Sequence, residues 1–208
     1  MSITRYLRGQ RTPHIRWRPY WQRRPIASAV IVLLLILAYV DHRGYLGWQG
    51  DDRTRYHDKT FICTAVMDGD TFEIDISDGR YTRTRVRLWG VDTPEIPESG
   101  REPGHYGREA SAFAKNAVLS KGVRLELAPG RTRDKYGRVL AYVYLDESGE
   151  LFNATLIETG HGYADRRFEH PRMAAFVELE KRARSARRGL WKDITKDTMP
   201  SWRRKLEG

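Results

Sequence analysis

Residues 71–89 read TFEIDISDGRYTRTRVRLW. Phe72, Ile74 and Ile76 alternate with Thr71, Glu73 and Asp75, the period of a strand with one buried face. Ser77-Asp78-Gly79-Arg80 is turn chemistry, so the chain should double back over about 81–89 as the second arm of a hairpin. In that arm Val86 and Leu88 face one way, and Arg85, Arg87 and Trp89 the other. The arm ends at Gly90 and runs into Val91-Asp92-Thr93-Pro94-Glu95, where two carboxylates flank a proline.

Working outward, the apolar stretch around Phe61-Ile62-Cys63 supplies a strand before the hairpin, and Cys63 reads as a packing residue. A loop with Pro94, Pro97, Gly100, Pro103 and Gly104 follows the hairpin. Ala110, Phe113, Ala117 and Val118 then recur at helical spacing, predicting a helix over Tyr106–Lys121. Val123, Leu125 and Leu127 mark one further strand and Val139–Leu145 another. Asn153 is placed to cap a short helix ending at Gly160. Met173, Phe176, Leu179 and Ala183 line one face of a last helix over 172–188. The order β-β-β-α-β-β-α-α predicts an α+β fold, an OB-type five-stranded barrel with three helices.

The chain has 208 residues and a formal net charge of +10. Seven arginines and no Lys, Asp or Glu lie in residues 1–24, so the remainder holds 30 basic and 27 acidic residues. Most of the basicity therefore belongs to a tail, and a nucleic-acid role for the folded part has to rest on particular residues. With one cysteine there is no intrachain disulfide. The six histidines lack zinc-ligand spacing and a cysteine partner.

Ile26–Val40 carries no charge over fifteen residues. As a helix it spans roughly 22 Å, against a hydrocarbon core of roughly 30 Å. Trp17, Tyr20 and Trp21 precede it and Tyr45 and Trp48 follow, as interfacial aromatics would, while Arg23 and Arg24 could lengthen the span by snorkelling. The reading is a signal-anchor over 25–40 of the cytoplasmic membrane, with a cleaved secreted form as the alternative. Arginine crowding puts residues 1–24 in the cytoplasm as a basic tail and everything after the span outside it. Residues 41–58 then read as a linker, 59–192 as the folded domain and 193–208 as a polar C-terminal tail.

Four charged clusters sit on this frame: Asp68-Gly69-Asp70, Arg87 with Asp92–Glu95, Asp134-Lys135-Tyr136-Gly137-Arg138, and Gly160–Tyr163. Alone, each is ordinary turn or rim chemistry. Together they supply what phosphodiester hydrolysis requires: oxygen ligands for a hard cation, fixed positive charge for the pentavalent phosphorus, and a carboxylate to aim water. Asp70 and Asp92, with the Thr93 carbonyl, can ligate Ca²⁺. Arg87 and Arg138 can fork to phosphate oxygens. Glu95 can orient or deprotonate the attacking water.

Val66–Thr71, Arg87–Glu95, Tyr106–Phe113 and Asp134–Arg138 followed by Leu140–Tyr144 occur in this order, and the stretch 60–191 that holds them resembles the thermonuclease (staphylococcal-nuclease-like) family. The resemblance implies a Ca²⁺-dependent nuclease that cuts DNA and RNA between phosphorus and the 5′ oxygen, leaving 3′-phosphate ends. By motif position it implies Asp70, Asp92 and Thr93 as calcium ligands, Arg87 and Arg138 as phosphate-binding arginines, and Glu95 as the base or water-orienting carboxylate. Asp68 falls behind the metal ligands. Lys135 and Tyr136 match positions that touch the substrate's terminal phosphate, and Tyr163 is the candidate for stacking on a base. No protein partner is implied, and a monomer is expected. The competing reading is a catalytically silent OB module that binds single strands. The carboxylates oppose it, because around a phosphate site they repel a polyanion unless a cation is bound.

Overall fold

The computed structural model describes residues 24–42, 49–79, 81–97 and 103–206. They fall into two compact units that divide after Gly47. The first holds helix α1 (Arg24–His42), whose side chains from Val30 to Leu37 are exposed. Among the described residues no helix is long and apolar enough to cross a membrane. The expected cytoplasmic tail, residues 1–24, lies outside the described residues except for Arg24, as does most of the loop between Glu95 and Pro103.

The second unit is built on a closed barrel of five strands: β1 (Lys59–Val66), β2 (Thr71–Ile74), β3 (Thr84–Leu88), β5 (Gly122–Glu126) and β6 (Val139–Leu145), in the order β1-β2-β3-β6-β5. Closure depends on β1, which uses its first half, Lys59–Ile62, against β5 and its second half, Cys63–Val66, against β2. The register slips between Cys63 and Ala65, and a bulge there bends the strand from one partner to the next. The β2–β3 hairpin forms as read, pairing Phe72 with Val86 and Thr71 with Arg87. Strand β3 also pairs in parallel with β6, which sets Arg87 beside Leu140. Cys63, Ile74, Val86, Val123, Leu125, Val139, Ala141 and Val143 are fully buried in the interior. Burial pushes the Cys63 thiol up to about 11, as a packing residue requires.

Outside the barrel lie α3 (Gly107–Val118), α4 (Phe152–Glu158) and α5 (Met173–Ser185). Their cover explains why Trp89 departs from the simple alternation. It is buried, stacked on Tyr142 at 6.1 Å, with the ring of His170 at 6.4 Å. A short pair of strands, β4 (Val91–Asp92) and β7 (Tyr163–Ala164), lies beside the barrel and matches Asp92 with Tyr163.

Three expectations need correction. Asn153 is not a helix cap but lies buried inside α4. It accepts the N–H of Val143 at 2.8 Å and donates to the carbonyls of Trp89 and Ala141. The stretch expected as linker contains α2 (Gln49–Tyr56), which belongs to the second unit. Tyr56 is fully buried, and Asp52 receives Arg133 at 2.7 Å and the Thr132 hydroxyl at 2.8 Å. The residues expected as a polar tail fold as well. They form a short 3-10 turn (Lys196–Thr198) and α6 (Ser201–Arg204), and Met199 and Arg203 are buried.

Candidate active site

The site lies where β2 begins, β3 ends and β4 leads into the Thr93–Ile96 loop. Asp70 is 2% exposed. Its backbone N–H donates to Asp68 at 3.0 Å, so Asp68 shapes the turn that presents it. One oxygen of Asp70 accepts the Thr93 N–H at 2.8 Å and the Thr93 hydroxyl at 3.2 Å. This contact needs Gly69: a Cβ there would stand 2.7 Å from the Thr93 Oγ1. The other oxygen accepts the Thr71 hydroxyl at 3.0 Å and is ion-paired with Arg87.

Arg87 reaches both carboxylates. While Nη1 meets Asp70, Nη2 donates to Asp92 Oδ1 at 2.8 Å and to the Val91 carbonyl at 3.0 Å. Arg138 enters from the loop ahead of β6. Asp134 organises that loop by accepting the N–H groups of Tyr136 and Arg138, and it holds the Arg138 Nε at 2.7 Å. Gly137 permits the turn with φ of +81°. Arg138 then donates to the Thr71 hydroxyl at 3.1 Å. A continuous chain of polar contacts therefore runs from Arg138 through Thr71, Asp70 and Arg87 to Asp92. Residues 67 positions apart in sequence become neighbours because β3 lies between β2 and β6.

Glu95 sits on the loop after Asp92 and is half-buried. Its carbonyl accepts the Gly104 N–H at 2.9 Å, and a Cβ on Gly107 would stand 2.2 Å from the same oxygen. The two glycines thus let the start of α3 close on this loop, and Pro94 stiffens it. Lys135 and Tyr136 are exposed, with the Lys135 ammonium 5.0 Å and the Arg138 guanidinium 5.5 Å from the Tyr136 ring. The structure therefore brings Asp68, Asp70, Arg87, Asp92, Thr93 and Arg138 into one contact set, with Tyr136 and Lys135 at its edge. Tyr163 lies buried behind the site: it is 1% exposed and packs edge-on against Trp191 at 5.5 Å and Trp202 at 6.1 Å. Its backbone aligns β4, and its ring is core.

Four residues at the site escaped the sequence reading. Asp165, buried, accepts Nε and Nη2 of Arg167 at 2.8 Å, and Arg167 in turn donates to Asp92 Oδ1 at 2.7 Å. Trp202, from the supposed tail, donates its indole N–H to Asp92 Oδ2 at 2.8 Å. A tryptophan in an otherwise polar segment was the available signal, since such a segment has no need of one. Phe168 is 53% exposed, with Arg131 at 5.7 Å and Arg167 at 5.9 Å from its ring, and is the open aromatic surface beside these residues.

The electrostatics follow from these partners. Burial alone would push the Asp92 carboxyl up, but Arg87, Arg167 and the Trp202 N–H outweigh it and hold Asp92 below the ordinary carboxylate range. Burial raises Asp68, and Arg87 offsets this only in part. Among the described residues no three His, Cys, Asp or Glu side chains converge as a metal cage. What converges is a buried carboxylate, Asp70, and a half-buried one, Asp92, on one guanidinium. Two such anions held so close are tolerable only with a positive charge between them. The donor set is all oxygen, which suits a hard cation completed by carbonyl and water rather than a thiolate or imidazole metal.

Residues 85–193 match the profile of the family described as Staphylococcal nuclease homologue. A thermonuclease from Staphylococcus intermedius is 34% identical over 160 residues, covering 77% of this chain and 89% of that protein. A thermonuclease from Staphylococcus hyicus is 34% identical over 138 residues, 65% of this chain and 77% of its own length. A micrococcal nuclease from Shigella flexneri is 30% identical over 191 residues, 87% of this chain and 91% of its own length.

Proposed function

Since the chain belongs to the family of staphylococcal nuclease homologues and is a nuclease that hydrolyses phosphodiester bonds, we propose that it is calcium-dependent, acts on DNA or RNA, and works at the Asp70–Arg87–Asp92 site. The observation that carries this reading is the pair of carboxylates, Asp70 buried and Asp92 half-buried, sharing one guanidinium, with a second arginine one hydroxyl away. The oxygens of Asp70 and Asp92 that face Arg87, with the Thr93 carbonyl, are the groups that would hold calcium. When bound, it would supply Lewis-acid stabilisation of the phosphate and lower the pKa of a bound water.

The chain's own residues do the rest. Arg87 and Arg138 each present a planar fork of donors matched to two phosphate oxygens, and their charge favours the pentavalent state over the ground state. Thr71 and Asp134 fix the direction of Arg138, so little ordering remains to be done when substrate arrives. Glu95 accepts a hydrogen bond from the attacking water and orients it in line with the leaving oxygen. Lys135 and Tyr136, exposed beside Arg138, contact the outer phosphate. Phe168, rather than the buried Tyr163, offers the ring face for a base.

The domain works outside the cytoplasm on a membrane anchor. The support is the uncharged run Ile26–Val40 and the arginine-rich segment before it. Membrane fractionation and protease accessibility in whole cells test this; protein found only in the cytosol would overturn it.

The deciding assay incubates the full-length protein, in detergent, with single-stranded DNA, duplex DNA and RNA, in Ca²⁺ and in EGTA. Cleavage that needs Ca²⁺ and fails in Arg87→Ala and Glu95→Gln is expected. Tight binding without cleavage in any divalent metal would instead make this a nucleic-acid-binding module.

A further inference from the structure

The matched family region ends at residue 193, yet the chain beyond it returns to the site. Helix α6 inserts Trp202 between Tyr163 and Arg167: the Tyr163 ring lies edge-on at 6.1 Å, and the Arg167 guanidinium lies 4.6 Å over the indole. The indole N–H ends on Asp92 Oδ2 at 2.8 Å. The next residue holds the helix down. Arg203 is 3% exposed and ion-paired at 2.8 Å with Glu180, itself 1% exposed. Glu180 also accepts the N–H of Ala164 at 3.0 Å, so the same carboxylate fastens both α6 and the strand paired with β4.

We propose that the segment 194–206 is a clasp, and that Trp202 is a positioning residue that fixes the Asp92 carboxylate for calcium. This rests on the reading of Asp92 as a calcium ligand. The chemistry of the three donors on Asp92 argues for it. Oδ1 is held by Arg87 and Arg167, both cations, which a divalent cation at that oxygen would repel. Oδ2 is held by a neutral donor, which carries no such penalty. Trp202 is therefore the one of the three that can keep its hydrogen bond when the metal is present. It stops the carboxylate from rotating and leaves Oδ1 as the exchangeable oxygen. Hydrogen bonds behind metal ligands of this kind typically change metal affinity by about 10–100-fold.

The test is calcium binding rather than turnover. Full-length wild type, Trp202→Phe and Asp92→Asn are titrated with Ca²⁺ by calorimetry, without nucleic acid, and their melting temperatures are recorded in EGTA. Phenylalanine keeps a ring against Tyr163 and Arg167 and removes only the donor. The clasp predicts a calcium Kd at least about tenfold weaker in Trp202→Phe. A purely structural tryptophan would lower the melting temperature and leave Kd at the wild-type value, and that result overturns the proposal. If Asp92→Asn binds calcium as tightly as wild type, Asp92 is not a ligand, and the failure lies in the reading beneath. Should Trp202→Phe not fold, Arg203→Met loosens α6 with the indole still present. A weaker Kd there supports the clasp, and an unchanged Kd overturns it.

Discussion

Replacing Arg87 by methionine separates its two jobs. Arg87 is the counter-ion that Asp70 and Asp92 share. Methionine keeps much of the side-chain volume and leaves both carboxylates without that charge. Breaking one partner of a buried ion pair costs about 3–5 kcal/mol. Asp92 retains Arg167 and Trp202, and Asp70 retains two donors from Thr93 and one from Thr71, so the lower end applies. A loss of about 3 kcal/mol in a unit of this size lowers Tm by roughly 6–12 °C. Calcium should then act in the opposite direction, because it takes over the charge between the carboxylates. At a hundred times Kd a bound ligand adds about 2.7 kcal/mol, enough to recover most of the loss. Activity should not recover with it, since the phosphate donor is gone, and a fall in kcat of about 10²–10³ is expected even at saturating calcium. The assay is thermal denaturation followed by circular dichroism in EGTA and in calcium, beside nuclease turnover. An Arg87→Met protein whose Tm in EGTA stays within about 2 °C of wild type would refute the shared counter-ion argument. One whose turnover returns with calcium would refute the phosphate role.

Other outcomes follow from the same contacts. Glu95→Gln should keep calcium binding and lose about 10²–10⁴ in kcat, and a coincident loss of calcium affinity would make Glu95 a metal ligand instead. Gly90→Ala should lower Tm markedly, because φ is +78° there and the new Cβ would stand 2.4 Å from the His170 ring; an unchanged Tm would show that the ring moves freely aside. Asn153→Leu takes the Asn153 partner from the Val143 N–H and from the Trp89 carbonyl, while the Ala141 carbonyl keeps the Trp89 N–H at 2.9 Å, and should cost about 1–3 kcal/mol for each group that finds no other, read from urea unfolding. Burial holds the His170 and His161 imidazoles below the ordinary histidine range, against a smaller opposing pull from Asp165 on the first and Glu109 on the second. The unfolded chain takes up their protons near pH 6.5 while the folded chain does not, so stability is full above that pH and falls as pH drops below it. The lowered carboxyl of Asp92 acts in the same direction further down: its contribution is present above the unfolded carboxylate pKa near 4 and lost as pH falls through the folded value. A melting curve flat between pH 7.5 and 5 would contradict the histidine assignment, and replacing both histidines should flatten it.

Much of the barrel was legible because its signals are local. Alternation over 71–76 and about 81–89, a turn at Asp78-Gly79 and an apolar run at Val139–Leu145 each depend on residues a few positions apart; each expected strand formed, the first two shorter than read, as Thr71–Ile74 and Thr84–Leu88. The site clusters were legible for the same reason, since Asp92, Thr93 and Glu95 arrive on one loop, and Asp134 with Arg138 on another. Their meeting was not. It requires β3 to pair with β6 across more than fifty residues, and only the closed barrel decides that.

Where the sequence reading departed from the structure, the deciding partner lay far along the chain. Asn153 carries the chemistry of a cap, yet α4 packs it against three backbone groups on the barrel, where a buried amide contributes more than it would at an exposed helix end. Tyr163 looked like a rim aromatic until α6 covered it. Trp202 acts on a carboxylate 110 residues away, and no periodicity announces such a contact. The amino-acid sequence by itself determined the strands, the turns and which residue types stand at the candidate site, because backbone preferences and hydrophobic periods act between near neighbours. Only the tertiary structure decided which charges face one another and which aromatics are covered, because those depend on elements distant in sequence closing over the same few atoms.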